Sequence, residues 1–143
     1  MKTLSGIAAL TLLLLAGISA FGQTPDQGPA WKDLKGPGKK NWINASTYFI
    51  LKPSEKPKMG TTIFRVQVFD KSGKKNQTYT IKGESGMPSM AGAHDSGPKT
   101  FSLNKSGNYL LPVDVVMPGE WELKLSFLQD GKTIFRGRFK FDV

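Results

Sequence analysis

From residue 47 onward, apolar and polar side chains alternate in short runs broken by turn residues, the pattern of strands that bury one face. The clearest run sets Trp121, Leu123, Leu125 and Phe127 against Glu122, Lys124 and Ser126. The last run sets Phe135, Phe139, Phe141 and Val143 against Arg136, Arg138, Lys140 and Asp142, and an earlier one sets Phe64, Val66 and Val68 against Arg65 and Gln67. The spacing predicts strands over 47–52, 62–69, about 77–82, 100–103 and 109–116, followed by one from Trp121 and one through Phe135 to the end. Pro112 cannot donate to a ladder, which predicts an edge or a bulge there. The segments 71–74, 104–107 and 129–132 read as hairpin-like connections. No amphipathic helix is visible after residue 22, so the expected fold is all-β, a single immunoglobulin-like β-sandwich of about seven antiparallel strands over 47–143.

The pattern before residue 47 differs. Lys2, the apolar run from Ile7 to Ala20 and the small-x-small triplet Ala20-Phe21-Gly22 predict a signal peptide over 1–22, cleaved before Gln23. The protein is therefore expected to be periplasmic or secreted, the alternative being an anchor made by an uncleaved N-terminal helix. Residues 23–46 are rich in Gly, Pro and Lys with no sustained apolar period, as in a linker or loosely docked arm. Trp31 and Trp42 interrupt it and are expected to pin the arm to the domain surface.

Composition narrows the chemistry. A chain of 143 residues fits one domain with its own core. Cysteine is absent, which excludes disulfides, thiolate metal sites and cysteine nucleophiles. The formal charge is +9, and it falls only to +8 when residues 1–22, with one Lys and no acid, are removed. Nucleic acid is excluded as a partner by the leader and by aromatic residues spent at core periods. The outward Arg136, Arg138 and Lys140 offer peripheral contact with anionic lipid or with an acidic partner, and a monomer is expected.

The remaining chemistry gathers in the loop 83–97, with Gly at 83, 86, 92 and 97 and with Met87, Met90 and His94. A thioether is a soft, uncharged ligand suited to Cu(I), and a nearby imidazole strengthens such a site. The competing reading has the methionines as adaptable filler over an open end of the core. If every connection reverses the chain, alternate connections share one pole of a sandwich. Met59, Met87, Met90, His94 and Met117 then fall together, and Lys71, Lys74 and Lys75 fall opposite. Met87, Met90, His94 and Met117 are the candidate metal ligands. No catalytic residue is expected: one His and no Cys leave only His94 as a base, and no Gly-x-Ser-x-Gly elbow accompanies it. Gly131-Lys132-Thr133 ends like a phosphate-binding loop, but Ser126 stands where the first Gly belongs. Asn44-Ala45-Ser46, Asn76-Gln77-Thr78 and Asn104-Lys105-Ser106 match the glycosylation acceptor pattern, which has meaning only in a eukaryotic host.

The loop Gly86-Met87-Pro88-Ser89-Met90 with His94, then Gly107-Asn108-Tyr109, then Met117-Pro118-Gly119-Glu120-Trp121, resembles the YtkA-like and FixH-like domain families over roughly residues 47–143. The resemblance implies an extracytoplasmic β-sandwich, with relatives associated with copper handling or with maturation of copper oxidases. What it implies for this chain is a copper-binding accessory domain, holding Cu(I) as a chaperone or carrier and exchanging it with a copper-donating or copper-accepting envelope protein. The alternative is a non-metal protein-interaction domain of the cell envelope. The cleavable-looking leader departs from the anchored FixH-like pattern.

Overall fold

The computed structural model describes residues 28–143, so the expected signal peptide over 1–22 lies outside the described residues. Two five-stranded sheets face each other. One has the order β1 (Trp31–Asp33), β10 (Lys132–Asp142), β9 (Glu120–Gln129), β5 (Thr80–Gly86), β6 (Lys99–Thr100). The other has the order β2 (Lys40–Trp42), β3 (Thr47–Pro53), β4 (Gly60–Asp70), β8 (Tyr109–Val115), β7 (Ser102–Leu103). Between them lie the inward side chains that the alternation predicts, with Phe49, Phe64, Val66, Leu123, Leu125 and Phe127 fully buried and Trp121 at 1 % exposure. Phe49, Phe127 and Phe135 meet with ring centroids 4.5 to 5.7 Å apart, at angles favoured by aromatic pairs.

The sandwich is closed at both flanks by chain that passes from one sheet to the other. On one flank, residues 34–39 carry the chain from β1 to β2. On the other, the strand expected over 100–103 is divided: Thr100 pairs with β5, Ser102 pairs with β8, and Phe101 turns inward between them. Gly83 makes room for this crossing. A β-carbon there would lie 2.7 Å from the Phe101 ring and 2.6 Å from Leu111 Cδ2.

Three expectations are corrected. Part of the stretch 23–46, expected as a linker or loosely docked arm, is sheet: β1 pairs parallel with β10 and β2 pairs antiparallel with β3. Trp31 and Trp42 do hold the surface, but within strands only three residues long, too short to show a period. Among the described residues the sandwich thus has ten strands and one parallel pair rather than about seven strands, all antiparallel. The strand expected to end near residue 82 runs to Gly86, because Gly83 and Gly86 serve close packing within β5 instead of opening a loop.

Register fixes the two poles. β3, β5, β8 and β10 run toward one end and β4 and β9 run away from it, so Met59, Met87 and Met117 flank the same end, as the pairs Gly60 with Val115 and Gly86 with Glu122 require. At the other end four of the turns are Asx-turns, in which a side-chain oxygen accepts backbone N–H bonds a few residues on. Asn44 Oδ1 accepts from Ser46 N, Asp70 Oδ1 from Ser72 N, Asn76 Oδ1 from Thr78 N and Asn104 Oδ1 from Ser106 N, all at 2.9 to 3.0 Å. The three Asn-x-Ser/Thr triplets are therefore turn chemistry. The two sheets are also tied by the buried Tyr109 hydroxyl, which donates to the Tyr79 carbonyl at 2.9 Å. Burial pushes the Tyr109 hydroxyl above the usual tyrosine range.

Candidate functional site

The loop leaves β5 at Met87, whose side chain is 5 % exposed and belongs to the core. Proline at the next position starts a single 3-10 turn, Pro88–Met90, closed by Met90 N donating to Met87 O at 3.0 Å. The chain then returns along β5: Ser96 N donates to Ser85 O at 2.8 Å and Ser85 N to Ser96 Oγ at 3.0 Å. Asp95 sits inside this return, accepting from Gly92 N at 2.9 Å with its carboxylate lying on Gly86. A β-carbon at Gly86 would come within 2.2 Å of Asp95 Oδ1, which is why glycine stands there. Gly92 and Gly97 take φ of 83° and 65°, the left-handed region glycine occupies without strain.

The second wall is the turn after β8. Trp121 Nε1 donates to Met117 O at 3.0 Å, and Gly119 exchanges two backbone bonds with Val143, at 2.8 and 3.1 Å. Met117 is half-buried against the core. The Met87 methyl packs against Gly119, so close that a β-carbon on Gly119 would be 3.0 Å away. The Met87 loop and the Met117-Pro118-Gly119 turn are thus adjacent and share Trp121 as their floor.

His94 is half-buried in an adjoining cleft beside Asp95, Lys99, Asp114, Val116 and Trp121. A separate cavity of about 60 Å³ lies behind Met87 and is lined by Asp95, Glu122 and Lys124, the last two 3.8 Å apart as an ion pair. Asp95 borders both spaces. Met90 is 40 % exposed on the 3-10 turn, and Met59 is 50 % exposed over a shallow groove shared with Pro57 and Val143. The four candidate ligands therefore share a pole but not one environment: Met87 is covered, Met117 and His94 are half-covered, and Met90 faces water.

Sequence reasoning missed Asp95, Ser85 and Ser96, which shape the loop. The signal was present in Asp95 following Gly92 by three residues, a spacing at which a carboxylate can cap a backbone N–H. No group of three or more His, Cys, Asp or Glu side chains fit to hold a metal ion occurs among the described residues. The soft donors at this pole are thioethers and one imidazole, ligand types that suit Cu(I), with the Asp95 and Asp114 carboxylates beside the imidazole.

Compared with known proteins, residues 44–126 match the model of a family described as YtkA-like. The match begins just before β3 and ends within β9, so it contains both the Met87 loop and the Met117 turn. No curated protein and no solved structure matches the chain.

Proposed function

The chain belongs to the YtkA-like family, and from that premise we propose that it is an extracytoplasmic, non-catalytic domain that carries Cu(I) as cargo at its methionine pole. Met87, Met90, His94 and Met117 are the proposed ligands, and the ion would be exchanged with another envelope protein. The observation that carries this reading is the segregation of soft donors: all four methionines outside residues 1–27, together with the only histidine, flank one end of a sandwich with no other soft ligand. Because Met87 is covered while Met90 and His94 are accessible, capture begins at the exposed donors. Met87 joins once its methyl group moves off Gly119. Such a site binds firmly enough to carry the ion and exposes enough of it to pass on.

The test is competition against a Cu(I) chelator. The wild type is expected to take up one equivalent, and Met87→Leu/Met90→Leu to lose most of that affinity. His94→Ala is expected to bind more weakly, having lost its imidazole. Equal binding by wild type and the double methionine variant would sink the proposal.

A second reading has a specific observation behind it. Met87 is packed as a core residue against Gly119, which is what a methionine filling the end of a sandwich would do. In that case the domain binds another envelope protein without metal, and the double methionine variant would be less stable but otherwise unchanged.

A further inference from the structure

The outward faces of the two sheets differ in a way that charge counting along the chain does not reveal. On the β1-β10-β9-β5-β6 face, three cations have acidic neighbours: Arg138 bonds Asp33, Lys140 lies 3.2 Å from Glu120 and Lys124 lies 3.8 Å from Glu122. On the β2-β3-β4-β8 face, Lys52 and Arg65 stand directly opposite each other in register, and neither has an acidic partner among the described residues. Like charges opposed across a ladder are destabilising. Lys40 joins them from β2, its ammonium 4.5 Å from the Tyr48 ring. The acid on this face, Asp114, is engaged by the Thr61 hydroxyl at 2.6 Å.

The same face is apolar where a solvated sheet would be polar. Ile50, Ile63, Leu110 and Pro112 point outward from adjacent strands, with Ile63 paired to Pro112 and 42 % exposed. Trp42, 43 % exposed, rims it and leans on Tyr48 at 5.1 Å.

We propose that the outward face of the β2-β3-β4-β8 sheet docks on an anionic lipid surface. This does not rest on the copper reading. Lysine and arginine lay their stems along apolar surface while their heads reach phosphates, and a rim tryptophan suits the headgroup level. A second copy is disfavoured, because a two-fold contact sets this face against itself, and its cations Lys40, Lys52 and Arg65 outnumber its acid, Asp114. The basic residues singled out on the last strand are thereby replaced as the lipid contact: Arg138 and Lys140 already have partners.

The experiment is flotation of the full chain with phosphatidylcholine vesicles, with and without phosphatidylglycerol as about one third of the lipid. Any contribution of residues 1–27 is common to all variants. Lys52→Glu/Arg65→Glu is expected to lower the phosphatidylglycerol-dependent binding about tenfold or more, and Lys82→Glu/Lys124→Glu, with the same charge change on the other face, to lower it far less. Ile63→Ser, which alters no charge, is expected to weaken binding several-fold. Thermal melts verify that each variant is folded. Equal loss in the two double variants would reduce the effect to net charge and overturn the proposal. So would the absence of any preference for phosphatidylglycerol, which would give this face to an acidic protein.

Discussion

Asn44, Asp70, Asn76 and Asn104 stand at one end of the sandwich, each ordering its own turn through a hydrogen bond to the backbone two residues on. Met59, Met87, Met90 and Met117 stand at the other end, where the local bonds of the 3-10 turn and of Asp95 to Gly92 are joined by contacts that close a loop or cross the fold: Ser85 with Ser96, Gly86 with Asp95, and Gly119 with Val143, with Trp121 beneath them. The first pole is locally encoded. The second is assembled by the fold, and its methionines differ in exposure, from Met87 at 5 % to Met59 at 50 %.

The heaviest blow to this arrangement is Trp121→Ala. The ring is buried and its N–H holds the Met117 turn, so its removal should cost about 3–5 kcal/mol, read as a lower denaturation midpoint. A loss below about 1 kcal/mol would mean that the methionine pole does not depend on this floor. Next comes Gly83→Ala. The added methyl meets Phe101 and Leu111, both buried, and overpacking of this kind costs roughly 1–3 kcal/mol. Wild-type stability would show that the crossing at Phe101 is loosely packed.

A matched pair then separates the poles. Asn104→Ala removes an acceptor for Ser106 N and Asn108 N and should cost about 1–2 kcal/mol, with Cu(I) affinity unchanged. Met87→Leu keeps the volume of a core side chain and should cost under about 1.5 kcal/mol while lowering Cu(I) affinity. Chemical denaturation and chelator competition on both variants give four values. The two-pole picture fails if Asn104→Ala lowers Cu(I) affinity or if Met87→Leu leaves it unchanged.

The long alternating strands were legible because burial on one side leaves a period of two, and β4, β9 and β10 carry that period for ten or eleven residues each. The clustering of the methionines followed from counting reversals, which survives even though the strand over 100–103 is split, since both halves run in one direction. What could not be read had no local signature. Three residues around Trp31 and three around Trp42 join the sheets because β10 and β3 offer them an edge, not because their own pattern is strand-like. Gly83 and Gly86 looked like loop residues, and only the packing of Phe101 and Asp95 gives them their place in β5. The burial of Met87 beside exposed Met90 depends on the position of Gly119, a contact spanning the two loops.

The smallest expected effect sharpens the comparison within the locally encoded pole. Asp70 and Asn104 build turns of the same kind, but Asp70 can titrate. Hydrogen bonds from the Ser72 hydroxyl and from the Lys74 and Ser72 amides hold the Asp70 carboxyl below its ordinary value of 3.8. A depressed carboxyl contributes stability that is fully present above that ordinary value and is lost as pH falls through the lower folded one. The contribution is small because the group is exposed. In an acid titration followed by amide proton shifts, Ser72 and Lys74 should therefore move together below pH 3.8, while Ser106 and Asn108, bonded to the neutral Asn104 amide, should not follow them. Asp70→Asn keeps an oxygen acceptor in place and should abolish the movement at Ser72 and Lys74. If those amides move in the variant as they do in the wild type, the turn is ordered by its backbone alone and the carboxylate is incidental to it.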